Sequence, residues 1–269
     1  MSATFTIRMD GDMPLTVIDT GLSDLRWYGE ELTDPVTEGS RRLYRAGLST
    51  RAVTIHYEDD ELEINLPVGS CEEDCELALG IVRRAAVHSG SPIETDHGEL
   101  SLGELDDVFD AGWREHQLTS AIRVAAQLVA RDGGVISLPG PNRSLCLGPR
   151  LIAQLENAAP AQLVALMRRV QWPDPRYEQA GTFEGTRPES LEKVTFSILL
   201  PDRDCIMPYT NRLLLRDNDD NIILIPRKAL AGLPVFVTPL DDGNDLVDAI
   251  APIAWEQVCV AARQLQVPL

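Results

Sequence analysis

Lysine is almost missing from these 269 residues: Lys193 and Lys228 stand against 22 arginines. Schiff-base chemistry and lysine-centred phosphate sites therefore have few candidate residues. Long apolar runs are missing too, and none approaches the ~18–20 residues needed to cross a bilayer. The start, Met1-Ser2-Ala3-Thr4-Phe5-Thr6-Ile7-Arg8, has no basic segment leading into an apolar one. A cytoplasmic protein without a signal peptide is the expectation. Cysteine is sparse, odd in number and widely spaced (Cys71, Cys75, Cys146, Cys205, Cys259). A secreted disulfide scaffold is smaller and denser in cysteine, so a reducing compartment fits better. The signatures G-x-S-x-G, H-E-x-x-H and G-x-G-x-x-G do not occur, which removes the positive arguments for a serine hydrolase, a zinc protease or a dinucleotide enzyme.

What the chain has in excess is negative charge, a formal net of −18. Residues 58–110 hold 16 acidic side chains against only Arg83 and Arg84, a net of −14. The clusters are Glu58-Asp59-Asp60-Glu61, Glu72-Glu73-Asp74 with Glu76, and Glu104 with Asp106, Asp107 and Asp110. Concentrated like charge costs stability through self-repulsion, which leaves two readings: a solvated face that aids solubility, or a surface shaped for a basic partner. Direct nucleic-acid binding through this stretch is disfavoured, because phosphate is repelled.

The composition, 44% hydrophobic and 25% charged, is that of a folded globular chain. The length suits one large domain or two ordinary ones. The pattern predicts an α+β fold of antiparallel hairpins packed with helices. Val53, Ile55 and Tyr57 alternate with polar residues, as do Leu62, Ile64 and Leu66, so 51–66 reads as a hairpin with one apolar face. A second hairpin is expected over 212–226, around Asp217-Asn218-Asp219-Asp220. Helices are expected near 71–88, opened by Ser70-Cys71-Glu72-Glu73 and stopped by Gly90, and near 115–131, stopped by Asp132-Gly133-Gly134. Further helices are expected from Gly148-Pro149 to about 156, over 161–171, and over 245–265 with a bend at Pro252. A short helix should also follow Ser101-Leu102-Gly103-Glu104. Strands are expected at 4–9, 14–18, 135–138, 144–147, 194–200 and 235–238. Residues 21–32 read as a turn and short helix, 33–50 as irregular, and 172–188 as a long loop. The interruption Asn157-Ala158-Ala159-Pro160 sets an acidic α+β domain over 1–157 apart from an α+β domain over 158–269.

Few residues carry a positive case for chemistry. Asp217-x-Asp219-x-Asn221 resembles the opening of a calcium loop, but Ile222 and Lys228 stand where that loop needs Gly and Glu. A hairpin turn is the better account. Cys71 and Cys75, four apart on one helix face, lack the C-x2-C spacing of a zinc site and read as two packed thiols. Pro139-Gly140-Pro141-Asn142 is a turn whose prolines remove the amide donors of a phosphate cradle. Thr95-Asp96-His97-Gly98-Glu99 places a histidine beside carboxylates, the pattern of a general base, without a marked nucleophile. His56 and His116 read as solvated histidines. Trp172, in Trp172-Pro173-Asp174-Pro175, is a candidate exposed anchor.

In its acidity, α+β pattern, cytoplasmic-looking start and missing catalytic signature, the chain resembles bacterial immunity proteins that neutralise secreted toxins such as polymorphic or type VI nuclease effectors. The resemblance is one of general character. It implies a non-enzymatic protein that blocks a toxin's active site or substrate surface. Nucleases need basic clefts for phosphate, so an acidic protein is a natural competitor. The residues expected to contact the basic partner are Glu58, Asp59, Asp60, Glu61, Asp106, Asp107, Asp110 and Trp172. No catalytic residue, metal, cofactor, nucleic acid or membrane is expected. The alternatives are a small-molecule hydrolase or transferase using His97 with Asp96 or Glu99, and a chaperone-like adaptor.

Overall fold

The computed structural model describes residues 2–186 and 192–267. The chain divides into two compact units, Met1–Trp172 and Pro173–Leu269. Both mix helices with antiparallel strands, the α+β class that the pattern predicts.

The first unit runs β1 (Ala3–Arg8), β2 (Leu25–Gly29), β3 (Gly39–Arg45), β4 (Val53–Glu58), β5 (Glu61–Leu66), helix α1 (Glu72–Ser89), β6 (Ile93–Thr95) and β7 (Gly98–Leu100). It continues with a one-turn α2 (Leu105–Val108), α3 (Ala111–Asp132), β8 (Ile136–Pro139), β9 (Ser144–Leu147), α4 (Pro149–Leu155) and α5 (Ala161–Gln171). β1 to β7 form an antiparallel sheet in the order β2-β3-β4-β5-β1-β6-β7, with β8 and β9 a separate hairpin. Period-two alternation on β4 and β5 turns Val53, Ile55, Tyr57, Leu62, Ile64 and Leu66 to one face, joined from β1 by Phe5 and Ile7. α1 covers that face with Leu77, Ala78, Ile81, Val82 and Ala85, all buried. Each large side chain so removed from water contributes about 1.5–3 kcal/mol.

α1 starts one residue later than the sequence suggests. The Ser70 hydroxyl donates to the Pro67 carbonyl at 2.6 Å, so Cys71 takes the N-cap position and Asp74 the third helical one. Asp74 is fully buried, and one of its carboxylate oxygens gathers five donors: Thr50 N–H (3.1 Å), Thr50 Oγ1 (2.9 Å), Arg51 N–H (3.0 Å), Cys71 N–H (3.0 Å) and Cys71 Sγ (3.2 Å). The helix start is thereby fastened to the turn at 48–51. α5 is fastened to the same turn: Arg168 Nε donates to the Leu48 carbonyl (3.1 Å) and Trp172 Nε1 to the Ser49 carbonyl (2.9 Å), while Arg168 pairs with Glu73.

These bonds correct the expected boundary. The units divide after Trp172, not at 157–158, because α5 is tied to α1 and to the turn at 48–51. Ala158 and Ala159 only turn the chain between two helices of one unit. Several local expectations also change. Residues 15–17 form a 3-10 turn, where a strand was expected over 14–18. The short helix expected in 21–32 is the edge strand β2, and the irregular 33–50 contains β3. The Asp96-His97 loop is the turn of the β6–β7 hairpin.

The second unit holds β10 (Glu178–Gln179), β11 (Thr182–Thr186), β12 (Lys193–Ile198), β13 (Cys205–Pro208), β14 (Arg212–Arg216), β15 (Ile222–Pro226), β16 (Val237–Pro239), β17 (Asn244–Val247) and α6 (Pro252–Gln264). The strands make two sheets, β10-β13-β17-β16 and β11-β12-β14-β15. α6 lays Trp255, Val258, Cys259 and Ala262, a helical i, i+3, i+4, i+7 stripe, into a core with Leu213, Leu215, Ile223 and Ile225. The single helix expected over 245–265 is therefore a strand and a shorter helix. Pro252 opens that helix, where its missing N–H costs nothing, instead of bending one from inside. The long loop expected over 172–188 contains β10 and β11. Its residues 187 and 188 lie outside the described residues.

Candidate functional site

Glu58-Asp59-Asp60-Glu61 is the two-residue turn joining β4 to β5, with Glu58 and Glu61 directly opposite in register. Asp59 (φ 50°) and Asp60 (φ 61°) are both left-handed. Two successive positive φ values define the hairpin turn whose backbone twist matches the strands, and Asn-Gly is its preferred pair. Two aspartates there carry a steric cost, and two glutamates facing each other add like-charge repulsion. Among the described residues, Asp59, Asp60 and Glu61 have no ion-pair partner, although Arg8 stands opposite Glu61 in register. Only Glu58 is engaged, with His56 Nε2 at 3.0 Å.

Acids from other segments join this tip. Tyr57 lies next to Glu58, and its hydroxyl pKa is raised first by burial, then by Asp60, Asp12 and Glu38. Asp12 and Glu38 lie outside the dense acidic clusters and carry no motif, so only folding brings their charge to bear on the same hydroxyl as Asp60. A hydrogen-bonded row crosses the adjacent strands: Ser40 Oγ to His56 Nδ1 (2.8 Å), and His56 Nε2 to Glu58 Oε2. It has the connectivity of a hydroxyl, a base and an orienting carboxylate. Its three members stand exposed or half-exposed on the sheet face, in water that weakens such a relay. Its evident effect is to fix Glu58 at the root of the turn.

The second acidic cluster is used differently. Asp106 pairs with Arg83 on α1, and Asp110 caps α3 by accepting the Trp113 N–H at 2.7 Å. Asp107 has no ion-pair partner among the described residues. The two clusters are not brought together. Glu61 stands opposite Arg8 in register at one end of β1, whereas Phe109, next to Asp110, lines a cavity with Ser2, Ala3 and Thr4 at the other end. Trp172 is a half-buried residue of the first unit rather than an exposed anchor: its indole stacks on Tyr44 at 6.1 Å and donates to Ser49.

That cavity, about 360 Å³, lies beside the β6–β7 turn and is lined by Ser2, Ala3, Thr4, Asp96, His97, Phe109, Trp113, His116 and Gln117. It gathers two histidines, a carboxylate and an amide from two separate stretches. α3 supplies Trp113, His116 and Gln117 at helical spacing, and the hairpin turn supplies Asp96 and His97. Gln117 is only 9% exposed, and its Oε1 has no hydrogen-bond partner. An unpaired buried carbonyl costs about 1–3 kcal/mol. Among the described residues, no side chain hydrogen-bonds to the His97 ring, and the hydroxyl at the His116 ring is Ser120 Oγ, one helical turn on at 3.4 Å from Nε2.

Burial, reinforced by Asp74, pushes the Cys71 and Cys75 thiols up to about 12. Among the described residues, no group of three or more His, Cys, Asp or Glu side chains is arranged to hold a metal ion. Asp217 spends one oxygen on the N–H groups of Asp219 (2.9 Å) and Asn221 (2.8 Å), closing the β14–β15 turn. No described helix is long and apolar enough to cross a membrane. Compared with protein-family models, curated proteins and solved structures, the chain matches none.

Proposed function

We propose that this chain is a non-enzymatic binding protein whose β4–β5 tip, Glu58 to Glu61 with Asp12 and Glu38 beside it, engages a basic protein partner. The observation that carries the reading is the turn itself. Asp59 and Asp60 occupy left-handed positions, unpaired, where Asn-Gly would relieve both strain and repulsion. A merely soluble surface has no need to place its charge at that cost. Unpaired carboxylates on a projecting turn are suited to steering encounter with a positive surface. Asp106 and Asp110 support the fold through Arg83 and the α3 cap, so they are secondary to the tip. Trp172, stacked on Tyr44, is left out of the contact surface.

The partner class is a protein with a basic cleft, and a nuclease-type toxin neutralised in the cytoplasm is the specific form that the acidity suggests. The test is affinity capture from the source cells, followed by association kinetics with the captured protein across a salt series. The variant is Glu58→Gln, Asp59→Asn, Asp60→Asn and Glu61→Gln together. Asn tolerates the left-handed region, so the turn persists. Association should slow by about tenfold or more at low salt, and its salt dependence should flatten. Unchanged kinetics would reduce the tip to a solvated face.

A further inference from the structure

We infer that β2 is a dimer edge: two copies of this chain pair their β2 strands antiparallel, about a two-fold axis at Tyr28, and join their seven-stranded sheets into one. β2 ends the sheet, with β3 as its strand neighbour, and Arg26 to Gly29 are all exposed. The Ala46 N–H donates to the Asp24 carbonyl (2.8 Å) and the Glu30 N–H to the Ser40 carbonyl (3.2 Å), in the register that sets Leu25 opposite Arg45. Hydrogen-bonded pairs alternate along an antiparallel ladder, so residues 24, 26, 28 and 30 bond toward β3 and residues 25, 27 and 29 face outward. Leu25 is already engaged: its N–H donates to the Leu22 carbonyl (3.1 Å) and its carbonyl accepts from Arg26 Nη1 (2.7 Å). Among the described residues, the outward amides and carbonyls of Trp27 and Gly29 meet no donor or acceptor. Neither proline nor lysine interrupts β2, and an open edge of this kind is a template for another strand.

Those four free groups select the register. The antiparallel pairing that uses all of them places Trp27 opposite Gly29 of the second copy, and Gly29 opposite its Trp27. The side chains then fit. Arg26 comes opposite Glu30 of the second copy, once at each end of the pair. Within its own chain Arg26 bonds the Ser23 and Leu25 carbonyls, and among the described residues neither Arg26 nor Glu30 makes an ion pair. Trp27, 45% exposed, lies over a residue without a side chain, an arrangement that covers an edge glycine. Gly29 has to stay bare, because its φ is 106° and a Cβ there would come within 2.5 Å of the Ser40 carbonyl oxygen. Tyr28, 39% exposed, meets Tyr28 of the second copy on the axis, in the non-hydrogen-bonded position where side chains approach most closely. The Arg42 guanidinium backs that ring, 5.7 Å from its centroid. Opposite charges, a large residue over a bare one and a ring pair thus arise together from the five residues Arg26 to Glu30. Such a contact is isologous and closes on itself, so assembly stops at two copies. The Glu58–Glu61 turn takes no part in it, so the inference stands apart from the proposed partner.

Sedimentation velocity of the full chain from about 1 to 500 μM tests this, and a monomer–dimer equilibrium is expected. Trp27→Pro removes an N–H that the fold does not use, so the strand persists while the dimer should disappear over this range. Arg26→Glu sets two like-charged pairs across the axis and should weaken the dimer about tenfold or more. Adding Glu30→Arg restores opposite charges across the axis, and the double variant should return to within about threefold of the unmodified protein. Residues 26 and 30 lie ~13 Å apart along one strand, too far to pair within a copy, so the rescue reports the second copy. Tyr28→Cys copies should cross-link to each other on mild oxidation, whereas the unmodified protein, whose cysteines are buried or half-buried, should not. Circular dichroism and thermal melting of each variant report folding separately. A chain that stays monomeric at every concentration would overturn the inference. So would a dimer indifferent to both Trp27→Pro and Arg26→Glu, which must use another face, or a double charge swap as weak as Arg26→Glu alone, which contradicts the register.

Discussion

The amide of Gln171 occupies the space that a side chain at residue 140 would need. A Cβ built on Gly140 would come within 2.1 Å of Gln171 Nε2. Gln171, fully buried at the end of α5, reads the backbone of the β8–β9 turn: its Oε1 accepts from Asn142 N–H (2.9 Å) and Arg143 N–H (3.0 Å), and its Nε2 donates to the Arg143 carbonyl. The turn and the helix end are thus a single hydrogen-bonded joint. Gly140→Ala should force the amide out, break these bonds and destabilise the first unit by about 1–3 kcal/mol. Urea unfolding followed by tryptophan fluorescence checks this, and an unchanged midpoint would show that the joint yields at no cost.

A second joint depends on one carboxylate. Asp74 holds the Thr50, Arg51 and Cys71 amides at the start of α1, in a place closed to water. Asp74→Ala strands the Thr50 and Arg51 amides and leaves the Cys71 N–H only the Thr50 hydroxyl, at 3.0 Å. A cost of about 3 kcal/mol or more is expected, above that of an ordinary surface change. Hydrogen exchange should then accelerate at Thr50, Arg51 and Cys71 ahead of the sheet amides. Exchange at those three amides that stays as slow as in the unmodified protein would refute the role given to Asp74.

Much of this architecture was legible because local chemistry and global fold agree. The Val53–Leu66 alternation, the Gly90 and Gly133 helix stops and the Pro149 helix start each give one answer at both levels. β3 was hidden for a specific reason. Its inward positions include Arg41, which is 0% exposed and donates to the Glu31 carbonyl and Thr37 hydroxyl. A buried arginine breaks the apolar alternation on which a strand is recognised. β2 was hidden because it is an edge strand, buried at Leu25 alone. Among site residues, Glu58 to Glu61 announced themselves by density, whereas Asp12, Glu38 and Gln117 had no signal. Two are acids outside the dense clusters, in irregular segments, and the third is a polar residue on a helix face whose significance depends on what it fails to bond.

The last expectation concerns acid. Asp217 accepts from Arg263, Asp219 and Asn221, and the Arg263 guanidinium, followed by the amides, draws its carboxyl down from the ordinary 3.8 to about 2. A carboxyl whose pKa is depressed by folding binds its proton more readily in the unfolded chain. Its contribution is therefore complete above the unfolded value near 4, and is lost as pH falls from about 4 to about 2. The Asp217 turn joins β14 to β15, and Arg263 lies on α6, so protonation should loosen the helix from that hairpin. Melting temperature against pH should fall across this window. In Arg263→Gln the fall attributable to Asp217 should shrink and end at higher pH, because the largest cause of the depressed value is gone. An acid profile identical in the two proteins would mean that the Arg263–Asp217 pair does not govern the second unit's stability in acid.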